Sequence, residues 1–463
     1  MKRFSLHTAG GRVRALATGA VVAAMAGTLV VSAFGSSAGA ASAATPGVTN
    51  TTITLGATEP LTGVAANYND IAPAMAAVFA WANAHGGVNG RKIDFKYLDD
   101  QYTPSITATM THELVLQDNI FADVGSLGTP TQLAVQPYLN SQKIPQLFIL
   151  SGCNCWSSSK YPDSSGYQPP YTVDGKILGS YTAKNFAGDK IGYFTQDDEF
   201  GFDTIKGLDM EIKSSAVVSR QVYTASTAAY IAGLTTQVAA LQASGAKVVV
   251  LAAIPPFVGL FVTTAATLGY SPQLVIDGVA GDPSAIGAAA ALPTGTAAAP
   301  AGQALLNGAI TDGYGYFENQ TSNPWVKTAT KLLTQYDPLV AKDGITGDEL
   351  VGFNLGYTVV QALQAAGRNL TRQGLLNAIA SNGKNFINGG FVPYSYSSTS
   401  HFGYEGEMLY KMSTSATPIT LPSGTYMGVA PLGTVYYTSP GAGPVKVWHG
   451  AVDKVPAKLA STA

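Results

Sequence analysis

The sequence predicts an α/β fold in which two similar lobes enclose a cleft. From Thr52 onward, short runs rich in β-branched residues alternate with helical stretches, and turn residues separate them. The alternation runs through four predicted strands, is interrupted, and starts again near Lys190. Hydrophobic residues make up 46% of the chain, as is ordinary for a globular protein that buries sizeable cores. Two sheets of the same kind in one chain place a cleft between them.

The first lobe is predicted from strands and helices between residues 52 and 150. Its opening strand, Thr52 to Ala57, places Ile53 and Leu55 on one face. Pro73 to Ala84 predicts a helix, because proline is favoured in a first helical turn and apolar residues then recur at helical spacing. By the same criteria we predict strands at 91–100, 120–125 and 145–150, and helices at 105–117 and 132–139. These four strands and their helices predict one parallel sheet.

The second lobe repeats the pattern. We predict strands at 190–195, 217–223, 247–252 and 274–277, and helices at 202–214, 234–244 and 257–268. An Ala/Gly/Pro-rich loop is predicted at 288–303, followed by helices at 325–336, 350–366 and 373–380. The C-terminal part is strand-rich, with strands at 407–412, 434–438 and 445–449. The last residues, 457–463, are predicted to be a frayed tail.

The first 43 residues predict a signal peptide, followed by a short linker at 44–51. Basic residues precede an apolar run from Leu16 to Phe34, and Ala41-Ser42-Ala43 gives a small-residue cleavage pattern. The alternative is an uncleaved membrane helix, since about 20 apolar residues span a bilayer, but Ala and Gly dilute this run. No cysteine lies near the cleavage site, so no lipid anchor is expected. We expect a soluble, exported protein with an extracytoplasmic location.

The charge balance excludes nucleic acid as a partner. Charged residues are only 12% of the chain, and the formal net charge is −2. Cleavage of the signal peptide would remove four of the 26 basic residues and none of the 28 acidic ones, which brings the charge to about −6. Such a chain offers no basic surplus with which to neutralise phosphates.

Motifs for catalysis and metal binding are scarce. The one G-x-S-x-G pattern lies at 35–39, inside the predicted signal peptide, where no strand-turn-helix context exists. The sequence has no Walker A loop and no H-E-x-x-H motif, and its five histidines are scattered. Asp197 to Glu199 could hold a hard cation, but acids at a predicted helix start stabilise the helix dipole. We therefore expect no catalytic residues, no metal site and no cofactor.

Cys153 and Cys155 are the only cysteines. Structural zinc requires four ligands, and the common redox motif has two intervening residues rather than one. A disulfide between these residues and a pair of free thiols are both compatible with the sequence. A hydrolase that uses one of them as its nucleophile is an alternative function, although no histidine stands near them in a recognisable motif.

The loops that follow the predicted strands are the best candidates for a binding site. In open α/β sheets, ligands bind beyond the carboxyl ends of the strands, where helix N-termini present free N–H groups. Each loop alone is an ordinary turn, but together they converge on one cleft. The six loops are 59–70, 125–132 and 151–156 in the first lobe, and 197–201, 252–257 and 277–282 in the second.

The order of several short motifs resembles a known family. These motifs are "PLTG" with a following tyrosine, "GGVNGRKI", "DDQYTP", "VGSLGTPT", "IPQLF" with a following "SG", and "DDEFG". Between Thr52 and His449 the chain is similar to the type I periplasmic solute-binding proteins of ABC transporters, in the branch of the leucine/isoleucine/valine-binding proteins.

The resemblance implies two Rossmann-like lobes of the periplasmic binding protein-like I fold, joined by three hinge crossovers. It places the crossovers near 171–176, 313–320 and 401–404. Lobe 1 would comprise 52–172 and 320–402, lobe 2 would comprise 173–319 and 403–452, and 453–463 would be a C-terminal tail.

The resemblance also implies the ligand contacts. A ligand carboxylate would be held by the Thr129 hydroxyl and by backbone amides that include Leu127. Asp277 would match the acid that holds an α-ammonium, as a shorter acid in place of the family's glutamate. Asn154 stands where the family has a residue with a hydroxyl group, and Tyr171 is implied at the edge of the cleft. The rest of the ligand would pack on the aromatic side chains of Tyr68, Trp156, Phe200 and Phe257.

These residues leave the ligand open between an apolar amino acid and another carboxylate, amide or aromatic compound. The implied function is binding without chemistry: an exported, monomeric receptor captures a small molecule and offers it to an ABC permease complex. The alternative is an extracytoplasmic ligand sensor on the same fold. A sensor would bind a kinase or receptor rather than a permease, which distinguishes it from a transport receptor.

Overall fold

The computed structural model describes residues 45–289, 304–422 and 424–462. The predicted signal peptide and most of the predicted loop at 288–303 lie outside the described residues. The β-strands are β1 Thr52–Glu59, β2 Lys92–Asp99, β3 Ala122–Val124, β4 Gln146–Ile149, β5 Ser164–Gly166, β6 Ile191–Gln196, β7 Val217–Tyr223, β8 Val248–Ala252, β9 Gln273–Ile276, β10 Ile310–Gly313, β11 Gly406–Ser413, β12 Ile419–Leu421, β13 Gly424–Tyr426, β14 Gly428–Tyr437 and β15 Lys446–Val447.

The α-helices lie between these strands and after them. They are α1 Ile71–Ala84, α2 Pro104–Leu116, α3 Thr129–Ser141, α4 Tyr171–Asn185, α5 Glu199–Glu211, α6 Thr227–Ala232, α7 Thr235–Ala243, α8 Pro255–Thr267, α9 Pro283–Ala289, α10 Pro324–Tyr336, α11 Pro338–Asp343, α12 Gly347–Ala366, α13 Arg372–Asn382 and α14 Ala457–Thr462. Short 3₁₀ turns occur at Ala66–Tyr68, Asn154–Ser157, Ser214–Ala216, Gly278–Ala280 and Gly383–Asn385.

The first sheet is parallel, with the strand order β2-β1-β3-β4-β5. Sequence analysis predicted its first four strands but missed β5, whose three residues, Ser164 to Gly166, are small and carry no apolar alternation. Helix α1 packs against α12, and Gly352 permits the close approach, because a Cβ there would lie 2.4 Å from the carbonyl oxygen of Ile71. A separate apolar cluster that includes Leu114 and Leu139 lies beneath α2 and α3.

The second sheet has the order β15-β14-β11-β10-β9-β8-β6-β7 among the described residues. Its strands β6 to β10 pair in parallel, whereas β10, β11, β14 and β15 pair antiparallel. Helices α4 and α5 pack on this sheet and closely against each other. A Cβ on Gly175 of α4 would lie only 2.2 Å from the carbonyl oxygen of Thr204 of α5. The α/β fold with two sheets is therefore confirmed.

The chain passes between the two sheets three times. It leaves the first sheet after β5, builds β6 to β10, and returns so that α10 and α12 pack on α1. It then passes back to add β11 to the second sheet. This path has the form of the three predicted crossovers, while the exact lobe boundaries stay predictions.

The prediction of a frayed C-terminal tail is wrong. Residues Ala457–Thr462 form α14, whose Leu459 is buried and whose Thr462 carbonyl oxygen accepts a 3.2 Å hydrogen bond from the Trp81 indole. The indole of Trp325 likewise donates to the carbonyl oxygen of Asp453 over 3.0 Å. The Ala-rich sequence gave little sign of this, because a single leucine supplies the apolar contact. Across the described ranges, no helix has the length and apolar character needed to cross a membrane.

Candidate ligand-binding cleft

A cavity of about 100 Å³ lies where the loops after the first-sheet strands face the loops after the second-sheet strands. A second cavity of about 110 Å³ adjoins it, and Tyr68, Val279, Tyr314 and Asp348 line both. This is the position beyond the carboxyl ends of the strands where α/β folds bind ligands. Four of the predicted site residues line the first cavity, namely Tyr68, Leu127, Tyr171 and Phe200.

The first-sheet wall contains the predicted carboxylate-binding loop, but the donors of this loop already have partners. The Leu127 amide donates to the carbonyl oxygen of Thr58 over 3.2 Å, and the Gly128 amide donates to that of Leu150 over 3.2 Å. The hydroxyl of Thr129 is 1% exposed and lies 2.7 Å from the Ser151 hydroxyl. The Leu127 amide thus already has a backbone acceptor in this structure, and its contact with a ligand carboxylate stays a prediction.

The second-sheet wall supplies apolar and aromatic surface. Asp198 caps α5 by accepting a 3.0 Å hydrogen bond from the amide of Phe200, which fixes that residue at the start of the helix. The Phe200 ring lies 4.4 Å from the Tyr171 ring, centroid to centroid. The hydroxyl of Tyr68 donates to the carbonyl oxygen of Val279 over 2.9 Å and so joins the two walls.

Three carboxyl groups also line the first cavity: Asp174, Asp348 and Glu407. Asp174 lies in the first turn of α4 and Glu407 on β11, and both face Asp312 of β10. Burial raises the pKa of Asp174 well above its ordinary value, and the nearby Asp277 and Asp312 carboxyls raise it further. Burial raises the pKa of Glu407 in the same direction, with Asp174 as the next cause.

The remaining predicted site residues lie outside the lining of this cavity. Trp156 is fully buried against Tyr171, and Phe257 stacks on Tyr223 with ring centroids 4.1 Å apart. Asn154 donates from its amide nitrogens to the carboxylate of Asp203, over 2.8 Å from the backbone and 2.9 Å from the side chain. Ligand contact by Thr129, Asn154, Trp156 and Phe257 stays a prediction.

Asp277 has a structural role in the loop after β9. Its carboxylate accepts a 3.1 Å hydrogen bond from the Val279 amide and begins the 3₁₀ turn there, while the Thr204 hydroxyl lies 3.5 Å away. Burial raises the pKa of Asp277 to about 7. Its side chain is fully buried and does not line the cavity, so contact with a ligand ammonium stays a prediction.

Cys153 and Cys155 are joined by a disulfide, with their Cα atoms 5.1 Å apart. Neither sulfur is a free thiolate in this structure, so nothing here supports the alternative of a cysteine-dependent hydrolase. Within the described ranges, no three His, Cys, Asp or Glu side chains are arranged to hold a metal ion.

Sequence reasoning missed most of the polar lining. Tyr102 lies in the "DDQYTP" motif, which predicts no role for it, and Asp174 lies in the first predicted crossover. An acid flanked by apolar residues, as in "YTVDG" or "GYEGEM", is the signal that could have indicated them. The residues missed are Tyr102, Gln168, Asp174, Tyr314, Asp348 and Glu407.

Comparison with solved structures shows the same fold in several solute-binding proteins. A fatty acid ABC transporter substrate-binding protein from Thermomonospora curvata superposes with a TM-score of 0.69 at 23% identity, covering 84% of this chain and 94% of that one. A branched-chain amino acid ABC transporter protein from Thermus thermophilus with bound valine gives 0.65 at 17% identity, with coverages of 83% and 97%.

A solute-binding protein from Rhodopseudomonas palustris BisB5, in complex with 3,4-dihydroxybenzoic acid, gives a TM-score of 0.63 at 17% identity over 82% of this chain and 96% of that one. A comparison with curated protein sequences finds no match. The family model described as "Periplasmic binding protein" matches residues 52–415. The chain therefore belongs to the periplasmic binding protein family, and its fold is that of the type I members.

Proposed function

We propose that this protein is the extracytoplasmic receptor of an ABC importer, which captures a small molecule between its lobes without transforming it. The observation that carries the proposal is the cavity between the two sheets, lined by Tyr68 and Leu127 on one side and by Phe200 and Val279 on the other. A ligand placed there would contact both walls at once. The predicted signal peptide would supply export.

Contacts to both walls provide a physical reason for closure. A ligand that touches one wall in the open state and both in the closed state binds the closed state more tightly, and this difference shifts the equilibrium. The three passages of the chain between the sheets are the segments in which a hinge motion would be absorbed. The solute would then be presented to a membrane permease by the closed form.

The relatives leave the ligand class open. They are a fatty acid transporter protein, a protein with bound valine and a protein in complex with 3,4-dihydroxybenzoic acid, although they share one fold. Function on a shared fold is decided by the residues of the site rather than by the architecture. The specificity of this chain must therefore be inferred from its own cavity.

The proposal is tested with the purified chain lacking the predicted signal peptide. Small-angle X-ray scattering and thermal unfolding are recorded with a library of amino acids, amines, carboxylates and amides. We expect at least one compound to raise the unfolding temperature and lower the radius of gyration, since a ligand at about 100 times its Kd adds roughly 2.7 kcal/mol of stability. A library that produces neither compaction nor stabilisation would contradict a receptor function.

Import is tested separately by uptake of the identified compound into cells with and without the gene. Uptake should fall when the gene is removed and return when it is restored. Unchanged uptake, together with capture of a kinase or receptor by the ligand-bound protein, would favour the alternative of a sensor.

A further inference from the structure

We propose that the solute is a small organic cation, whose protonated amine or guanidinium nitrogen is bound by Asp174 and Glu407 while its apolar part packs on the cleft aromatics. This inference rests on the proposed receptor function and adds the class of solute. It assigns the charge-recognising role to residues on α4 and β11 rather than to Asp277.

The first observation is a pair of buried carboxyls whose only side-chain partners among the described residues are each other and the Asp312 carboxyl. Oδ1 of Asp174 and Oε2 of Glu407 have no hydrogen-bond partner, and the two residues are 3% and 2% exposed. Both residues line the first cavity. Buried polar atoms are normally paired, and a carboxylate left without a donor is costly. A ligand with N–H groups would supply the missing donors.

The second observation is the lack of positive charge near these acids. In the described residues that line the two cavities there is no lysine, arginine or histidine. The nearest candidate along the chain, Lys176, donates from Nζ to the carbonyl oxygens of Ser439, Gly441 and Gly443 instead. Residues 290–303, which the structure does not describe, contain no basic residue in the sequence. The compensating charge is therefore left to the ligand.

A third cavity, of about 400 Å³, shares Asp282, Ala285 and Asp348 with the lining of the second. Acidic side chains dominate its polar lining, and no basic residue is part of it in the described ranges. Burial raises the pKa of Asp282, Asp348 and Glu349, so these acids offer carboxyl oxygens to a cation that displaces their protons. The acidic residues that line the third cavity are Asp70, Asp282, Asp343, Asp348 and Glu349.

The aromatic lining suits a cation with an apolar body. Cations are attracted to the faces of aromatic rings, and more strongly where water is excluded. An anion would meet less favourable groups, because the amides of Leu127 and Gly128 already donate to backbone carbonyls. The aromatic residues that line the first cavity are Tyr68, Tyr102, Tyr171, Phe200 and Tyr314.

The four carboxyl groups near the first cavity have no protein cation among the described residues to neutralise them. Asp174, Glu407, Asp312 and Asp277 lie together without a basic partner, so the group retains protons when no ligand is present. A cation that pairs with Asp174 and Glu407 replaces such protons, which leave to solvent. Binding should therefore release protons, and affinity should rise with pH until the cluster has lost them.

The test uses probes that share one branched tail and differ only in head group. Isoamylamine and isoamylguanidine are cations with N–H donors, isoamyltrimethylammonium is a cation without them, isoamyl alcohol is neutral and isocaproate is an anion. Thermal unfolding and titration calorimetry are run at about pH 6 and about pH 8, in two buffers of different ionisation enthalpy. We expect the amine and guanidine to bind, to release protons and to bind more tightly at the higher pH.

Two isosteric variants test the assigned residues. Asp174→Asn and Glu407→Gln should each weaken amine binding about tenfold or more, since a hydrogen bond to a charged group contributes roughly 1.5–3 kcal/mol. The matched control is Glu59→Gln, because Glu59 is a fully buried carboxyl with unpartnered oxygens that does not line the cavity. It should leave amine affinity unchanged. Proton release by the unaltered protein provides a readout that does not depend on how the variants fold.

The outcomes separate this inference from the receptor function. Binding and compaction with isocaproate or isoamyl alcohol, but with neither N–H cation, would contradict the proposal that the solute is a cation. The proposed receptor function would still hold. Tighter binding of the trimethylammonium probe than of the amine would overturn the role of Asp174 and Glu407 as N–H acceptors. Equally strong amine binding by Asp174→Asn, Glu407→Gln and the control Glu59→Gln would also contradict the role of Asp174 and Glu407. A protein that neither binds nor compacts with any compound contradicts both proposals.

Discussion

The hydroxyl of Tyr68 donates a 2.9 Å hydrogen bond to the carbonyl oxygen of Val279. Tyr68 follows the first strand of the first sheet, whereas Val279 follows β9 of the second sheet, so the bond spans the cleft. Both residues line the proposed binding cavity. Under the proposed closure, the bond is a specific contact that separation of the two walls would break.

Tyr68→Phe removes this bond and keeps the ring. We expect the affinity for any cleft ligand to fall about 3- to 10-fold, because a net hydrogen bond contributes roughly 0.5–1.5 kcal/mol. Titration calorimetry measures the change. Tyr97→Phe is the control, since Tyr97 lies on β2 outside the cavity lining. An equal loss of affinity in both variants would show that the Tyr68 bond has no special role.

Lys176→Met tests the packing of α4 beneath the loop that precedes β15. Lys176 is 1% exposed, and its ammonium donates to three backbone carbonyls at 2.7–3.1 Å. Its removal leaves buried acceptors unpaired, so the free energy of unfolding should fall by about 2–4 kcal/mol. Urea unfolding measures this. Lys184→Met on the same helix replaces an exposed lysine and should change stability by less than about 0.5 kcal/mol.

Gly175→Ala tests the contact between α4 and α5. An added Cβ would lie 2.2 Å from the carbonyl oxygen of Thr204 and 3.0 Å from the amide nitrogen of Leu208, so the helices must separate. We expect a loss of about 3 kcal/mol or more, at or above the upper end for overpacking, because backbone cannot yield as a side chain can. Gly441→Ala is the control, since an added Cβ there meets nothing within 4 Å. Similar unfolding temperatures for the two variants would contradict the inferred contact.

The buried carboxyl of Asp123 should make the free energy of unfolding depend on pH, and a single substitution can separate its contribution from that of other groups. Burial raises its pKa to about 7, while a hydrogen bond with the Ser126 hydroxyl acts in the opposite direction. Between about pH 4 and pH 7 the folded protein holds this proton and the unfolded chain does not, so stability falls as pH rises through that window, by about 4 kcal/mol in all. Its titratable neighbour is Glu59.

Asp123→Asn keeps the shape of the side chain and removes its titration. The variant should therefore gain stability relative to the parent as pH rises from about 4.5 to about 7.5, measured by urea unfolding at several pH values. Asp94→Asn is the control, since it alters an exposed carboxyl whose surface ion pair with Lys96, at 3.1 Å, contributes little to stability. A constant difference for Asp123→Asn would mean that its carboxyl is ionised in the folded state.

The sequence indicated the elements that bury long apolar faces and the edge at which their loops meet. Tyr68, Tyr171 and Phe200 could be placed at the cleft, because each stands at the carboxyl end of a strand or at the start of a helix. Strand β5 could not be predicted, since its pairing with β4 gives it a structure that three small residues do not specify alone.

The acidic lining could not be predicted for a related reason. Asp174 and Glu407 lie far apart in the chain, and they meet only because α4 packs against β11. The apolar residues that flank each acid indicate burial, but nothing local in the sequence indicates that the two acids face the same cavity. The disulfide between Cys153 and Cys155 was left open for the opposite reason, since short spacing permits the bond without requiring it.

The packing of α1 against α12 has a consequence for the newly made chain. Helix α1 ends at Ala84, but the helix that covers it begins only at Gly347, after the whole of β6 to β10. Until that later segment emerges from the ribosome, side chains such as Met75 and Val78 have no native partner on that side. An apolar surface exposed for so long during synthesis invites aggregation. We therefore expect the nascent chain to need a chaperone, or to delay folding, until the covering helix is made.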